Sequence, residues 1–144
     1  MHAFPHRYVV NSTLSPGGAV ALSAEGLAGI QSAPPKEFDG PGNLWSPESL
    51  LTAAVNDCFM LGFSAIATAS KFQWTTLQAS TEGTLDRVEG KMRFTKFVTH
   101  AKLQVPAGVD AERAKKLLEK AEQVCLIANS LSAERHLEAD VSVG

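Results

Sequence analysis

The segment 46–71, "SPESLLTAAVNDCFMLGFSAIATASK", constrains this chain more than any other. Ser46 is a good helix N-cap and Pro47 suits the first helical position. Glu48 falls in the first turn, where the helix dipole favours an anion. These signals predict one long helix ending near Lys71. Leu50, Leu51, Ala53, Ala54, Val55, Phe59, Met60, Leu61, Phe63, Ile66 and Ala67 leave it almost no polar stripe. A helix apolar all round asks to be buried all round. One small sheet within 144 residues can hardly cover it, whereas a second subunit could. Set into this run are Asn56, Asp57 and Cys58, and they break the apolar stretch below the length of a membrane span.

The flanking sequence predicts the partners of that helix. Residues 7–14, 19–23 and 27–32 look like short strands, separated by the turns "SPGG" and "AEG". The stretch 33–45 is a loop dense in Pro and Gly, long enough to invite a functional reading. After the helix, 75–88 alternates well, with Leu77, Ala79, Thr81 and Leu85 on one face. "EG" at 89–90 suggests a hairpin, and 91–105 returns with a change of phase that points to a bulge near Lys96. Asp110 caps an amphipathic helix marked by Ala111, Ala114, Leu117, Leu118 and Ala121. Cys125 precedes a further helical turn or two, and 136–143 alternates as a closing strand. The order of strands, long helix, hairpin, helix and strand predicts an α+β fold in a single domain, 1–144.

Several functions are disfavoured by composition. Net charge is −2, with no basic cluster, which argues against nucleic acid as a partner. The first ten residues lack the apolar core of a signal peptide, so a soluble, cytoplasmic protein without membrane attachment is expected. Four scattered histidines and two cysteines 67 residues apart give no metal-ligand spacing. In a reducing cytosol those cysteines would not form a permanent structural disulfide. Taken alone, each cysteine is most simply a small buried hydrophobe.

Two stretches change this balance: "SPESLLTAAVNDCF", and later "VPAGVDAERAKKLLEKAEQVCLIANSL". Together they resemble the osmotically inducible protein C / organic hydroperoxide resistance (OsmC/Ohr) family, and the resemblance spans nearly the whole chain. It implies an OsmC-like α+β fold, with antiparallel sheets around long central helices, assembled as an intertwined homodimer. It also implies thiol-dependent reduction of organic hydroperoxides without metal, flavin or haem. In that scheme Cys58 attacks the peroxide, Cys125 resolves the sulfenic acid as a disulfide, and Glu48 belongs to the site. A dithiol reductant, such as a lipoylated protein or a small thiol, restores the pair.

A thiol of pKa ~8.5 is only about 3% ionised at neutral pH, and lowering the pKa to ~6 gives roughly a thirtyfold gain, or about 2 kcal/mol. An apolar helix favours the neutral form, and an inward Asp57 would repel a thiolate. A positive neighbour is therefore required. The family uses an arginine held by the glutamate that corresponds to Glu48. This chain departs from that pattern, with "SPGGAV" in the first turn and Lys36 in the loop before the helix. Lys36 is the leading substitute and Arg7 a weaker one. A lysine can supply charge but not a planar two-pronged clamp on both Glu48 and the thiolate. Ten helical residues separate Glu48 from Cys58, about 15 Å along the axis, so the two cannot touch within one helix.

Side-chain physics does not by itself rank the cysteines, because Cys125 near a helix N-terminus would also be activated. Leu51, Phe59, Phe63, Trp45 and Phe38 are candidate walls for a bulky hydroperoxide. Two alternatives stay open. One is an OsmC-fold protein with weak or no peroxidase activity that binds an apolar or electrophilic small molecule at the dimer interface. The other is a structural dimer with two inert core cysteines.

Overall fold

In the computed structural model, which describes residues 1–144, the apolar segment forms a single helix, α1, Pro47–Ala69. Its start is held as expected. The Ser46 N–H donates to the Ser49 hydroxyl at 2.8 Å, and the Ser49 N–H donates to the Ser46 hydroxyl at 3.1 Å. This reciprocal cap satisfies two donors that an uncapped helix leaves open.

The chain forms two compact units, Met1–Leu50 and Leu51–Gly144. In the first, β1 (Asn11–Thr13), β2 (Val20–Ser23) and β3 (Ile30–Ser32) form an antiparallel sheet in that order. β1 is much shorter than the predicted 7–14. Tyr8, Val9 and Val10 have strand-like side chains but stay exposed, because no neighbouring strand pairs with them in the chain. The Ser15–Gly18 turn closes with the Gly18 N–H on the Ser15 carbonyl at 3.0 Å. Gly17 takes the positive φ of 76° that such a Pro-Gly turn requires.

The second unit carries the main sheet. β4 (Thr76–Val88) and β5 (Lys91–Val105) form a hairpin whose two turn residues, Glu89 and Gly90, both have positive φ. The predicted bulge is present: Thr84 pairs with Lys96 and Leu85 with Phe94, leaving Thr95 unopposed. β6 (Glu134–Val143) then joins the other edge of β5, parallel to it. This corrects the expectation of antiparallel sheets throughout. The connection through α2 (Ala111–Gln123) and α3 (Leu126–Asn129) is long enough to bring the chain back to the starting end of β5. α2 starts as predicted, with the Asp110 carboxylate accepting from the Glu112 N–H at 2.9 Å.

One stripe of α1, made by Val55, Phe59, Phe63 and Ala67, is buried. The lower part of that stripe joins Ala101, Leu103 and Val105 of β5 and Ala114, Leu118 and Ala121 of α2 in one core. Phe63 meets the Trp74 ring edge-on, centroids 5.3 Å apart. Gly83 lets α1 and β5 approach β4 closely: a Cβ there would stand 2.8 Å from the Phe97 ring and 2.9 Å from the Thr52 hydroxyl. Met60 and Ile66 pack partly against this core, while Leu61 is 64% exposed. By length and composition alone α1 could cross a membrane, but the core helix of a globular unit passes the same test.

Candidate functional site

Asn56, Asp57 and Cys58 lie in the third turn of α1, and each has a separate role in the fold. Asp57 points to solvent, so it does not place its charge in the interior. The Asn56 amide donates to the Ala79 carbonyl at 3.2 Å and to the Thr81 hydroxyl at 3.1 Å. The Thr81 hydroxyl also pairs with that of Thr99, 3.0 Å away. A polar chain thus runs from the helix through β4 to buried Thr99 on β5, and it fixes the rotation of α1 against the sheet. Cys58, two residues on, is half-buried.

Cys125 comes from the other end of the unit. It sits between α2 and α3, where its own N–H donates to the Glu122 carbonyl at 3.3 Å and its carbonyl accepts from Asn129 at 2.9 Å. Its side chain is 3% exposed. Its thiol lies within hydrogen-bonding reach of Cys58, although 67 residues separate the two in sequence. Both are free thiols.

Burial pushes the Cys125 thiol above its ordinary pKa of 9.0. The N–H groups of Ala128 and Ile127 at the start of α3 act in the opposite direction, and the neighbouring Cys58 adds to the rise. The helix N-terminus anticipated from the sequence is present, but burial outweighs it. Burial therefore favours the neutral S–H of Cys125, the form that donates a hydrogen bond.

A small pocket adjoins Cys125. Its apolar walls are Val55, Phe59 and Phe97, and its polar lining comes from Thr99, Glu122, Arg135 and His136. Of the walls expected from the sequence, Phe59 is present, whereas Phe63 is sunk in the core. Val55 and Phe97 take its place. Trp45 and Phe38 belong to the first unit and are 51% and 44% exposed.

Glu48 is half-buried in the first turn of α1, about 15 Å of helix rise from Cys58. Lys36 starts a short 3-10 turn in the first unit, its stem lying over Gly42, and both Lys36 and Arg7 are exposed. Among the residues singled out from the sequence, only the two cysteines are thus seen side by side. No three His, Cys, Asp or Glu side chains gather as a metal site.

Arg135 was not anticipated. The guanidinium Nε lies 3.2 Å from Glu122 Oε1, and Nη1 donates to Asn129 Oδ1 at 2.7 Å. A sequence signal did exist. Along β6 the inward phase is Arg135, Leu137, Ala139 and Val141, so an arginine occupies a position of the apolar face. The strand expected from the sequence, 136–143, begins one residue beyond it, whereas β6 begins at Glu134.

The α+β architecture and the paired thiols define a class, and comparison with known proteins gives the family. The family model described as OsmC-like protein matches residues 40–140. The chain belongs to the OsmC-like family. It is 30% identical over 115 residues to an uncharacterised Bacillus subtilis protein, YmaD, covering 76% of this chain and 77% of that one. It is 29% identical over 93 residues to the peroxiredoxin OsmC of Escherichia coli, covering 65% and 64% of the two chains. Among solved structures, an OsmC-like protein of unknown function from Vibrio cholerae matches with TM-score 0.85, at 19% identity over 94% of this chain and all of that one. An organic hydroperoxide resistance protein from Legionella pneumophila matches with TM-score 0.73 and 22% identity, covering 99% of each chain. At these identities the structural matches establish the fold, which is OsmC-like. The family thus includes proteins described as peroxiredoxins and as organic hydroperoxide resistance proteins.

Proposed function

We propose that this chain is a cysteine-based peroxidase that reduces organic hydroperoxides to alcohols. The observation that carries the reading is the nearness of Cys58 to the buried Cys125, close enough for each thiol to act on the other. Cys58, the more accessible sulfur, attacks as a thiolate on the distal peroxide oxygen. The O–O bond breaks, the alkoxide takes a proton and leaves as alcohol, and Cys58 becomes a sulfenic acid. Cys125 then gives up its proton and displaces hydroxide from that sulfur, so that water leaves and a disulfide forms. A dithiol of the reducing cytoplasm, a lipoylated protein or a small thiol, returns both cysteines to thiols. Val55, Phe59 and Phe97 favour an apolar substituent on the peroxide over hydrogen peroxide.

The working unit in this reading is a homodimer, in which a second copy covers the face of α1 that carries Leu61. Glu48 completes a site in that assembly, because its own helix holds it away from Cys58. The test is stoichiometric cumene hydroperoxide, followed by thiol counting and mass spectrometry. One equivalent should remove two thiols as a Cys58–Cys125 bond, with recovery by a dithiol. Cys58→Ser should abolish peroxide consumption, and Cys125→Ser should stop at a trapped sulfenic acid. Equal consumption by the wild type and Cys58→Ser would reject the assignment. Intact thiols in excess peroxide would leave the ligand-binding alternative standing, for which the apolar pocket beside Cys125 is the supporting feature.

A further inference from the structure

We propose that Arg135 is a positioning residue that clasps the Cys125 turn and so sets how readily that cysteine closes onto Cys58. Cys125 sits in a tight connection whose ends are Glu122, the penultimate residue of α2, and Asn129, the last of α3. Within the connection the backbone is held by bonds from the Cys125 N–H to Glu122 and from the Asn129 N–H to Cys125. Arg135, projecting from β6, ties both ends at once through the Glu122 ion pair and the Asn129 hydrogen bond. The Arg135 and Glu122 side chains are only 26% and 21% exposed, so the pair is shielded from solvent far more than a surface bridge. Glu122, Cys125 and Arg135 also line one pocket. Two bonds to one planar group, approached from two sides, fix a position that a single contact would leave free to swing.

The inference rests on Cys58 and Cys125 forming a disulfide, so its test includes an arm that needs no peroxide. Closing the bond requires sulfurs held at a definite separation and angle. The clasp does this before oxidation, which raises the effective concentration of one thiol at the other. It does not touch the attack of Cys58 on a peroxide. Arg135→Met keeps the bulk and removes both ties. Arg135→Lys keeps charge for Glu122 but loses the fork. Asn129→Ala removes one tie at an exposed position and should leave the fold intact.

Each variant is equilibrated in graded mixtures of reduced and oxidised dithiothreitol, and the Cys58–Cys125 disulfide is measured by thiol labelling. Each is also mixed rapidly with cumene hydroperoxide, with sulfenic acid formation and disulfide closure timed separately. Arg135→Met should lower both the disulfide equilibrium constant and the closure rate about tenfold, more than it slows sulfenic acid formation, and Asn129→Ala, which lies outside the pocket lining, should slow closure with the first oxidation unchanged. Arg135→Lys and Asn129→Ala should fall between it and the wild type. Slower closure should also let excess peroxide carry Cys58 on to sulfinic acid. The clasp is overturned if Arg135→Met and Asn129→Ala both close like the wild type, or if every variant slows both steps equally, as a general loss of structure would. A wild type that forms no disulfide in the dithiol buffer overturns the clasp and the cysteine pairing together. A wild type that forms it there but ignores the hydroperoxide sinks only the peroxidase reading.

Discussion

Replacing Asn56 with alanine tests whether the one amide in an apolar helix serves to register that helix on the sheet. The side chain donates two hydrogen bonds, to the Ala79 carbonyl at 3.2 Å and the Thr81 hydroxyl at 3.1 Å. At about 0.5–1.5 kcal/mol each, their loss costs about 1–3 kcal/mol. Alanine is the better helix former and returns about 0.5 kcal/mol. The expected net destabilisation is therefore about 0.5–2.5 kcal/mol, a roughly twofold to sixtyfold shift in the folding equilibrium. Urea unfolding at fixed protein concentration measures it, with an unchanged m-value as the sign that only stability has moved. A double-mutant cycle with Thr81→Val isolates the shared bond, whose coupling should be about 0.5–1.5 kcal/mol. Cys58 sits two residues away on the same turns, so the variant should also slow disulfide closure. An Asn56→Ala protein as stable as the wild type, with no coupling to Thr81, would refute the registering role.

Four further outcomes follow from the same geometry. Burial holds the folded Cys125 thiol above its ordinary value of 9.0, so the unfolded chain loses that proton first as pH rises. Stability is then undiminished by this group below that pH and falls as pH climbs from there through the folded value, and Cys125→Ala should flatten the decline in a pH series of urea titrations. In Cys58→Ala, alkylation of Cys125 should begin at lower pH than in the wild type, yet still above the ordinary range, since burial is the larger cause. Gly83→Ala puts a Cβ 2.8 Å from the Phe97 ring and 2.9 Å from the Thr52 hydroxyl, which should cost about 1–3 kcal/mol in the same unfolding assay. Leu61→Lys places a charge on the uncovered face of α1, and sedimentation should show the proposed homodimer falling to monomer; an unchanged dimer would move the interface elsewhere.

Local signals made much of this protein legible before any coordinates. Ser46 and Pro47 mark the start of α1 because capping is a matter of three or four neighbouring residues. Glu89 and Gly90 mark the hairpin turn, and the change of phase along 91–105 marks the bulge, since a strand's side chains alternate whatever it pairs with. The cysteines drew attention through motifs, each short and local. What those signals could not carry was partnership between distant residues. Tyr8 to Val10 have strand-forming side chains, yet only Asn11–Thr13 find a neighbour to pair with.

Tertiary structure decided the rest. It joined β6 parallel to β5, brought Cys125 against Cys58, and turned a helix start that should activate a thiol into a buried place that keeps it protonated. It also gave Arg135 its meaning, because an arginine in the apolar phase of a strand is an anomaly until Glu122 and Asn129 are seen to meet it. Caps, turns and alternation depend on forces that act over a few residues of chain. Burial, charge pairing and the approach of two sulfurs depend on distances in space, which 67 residues of intervening sequence do not specify until the core has formed.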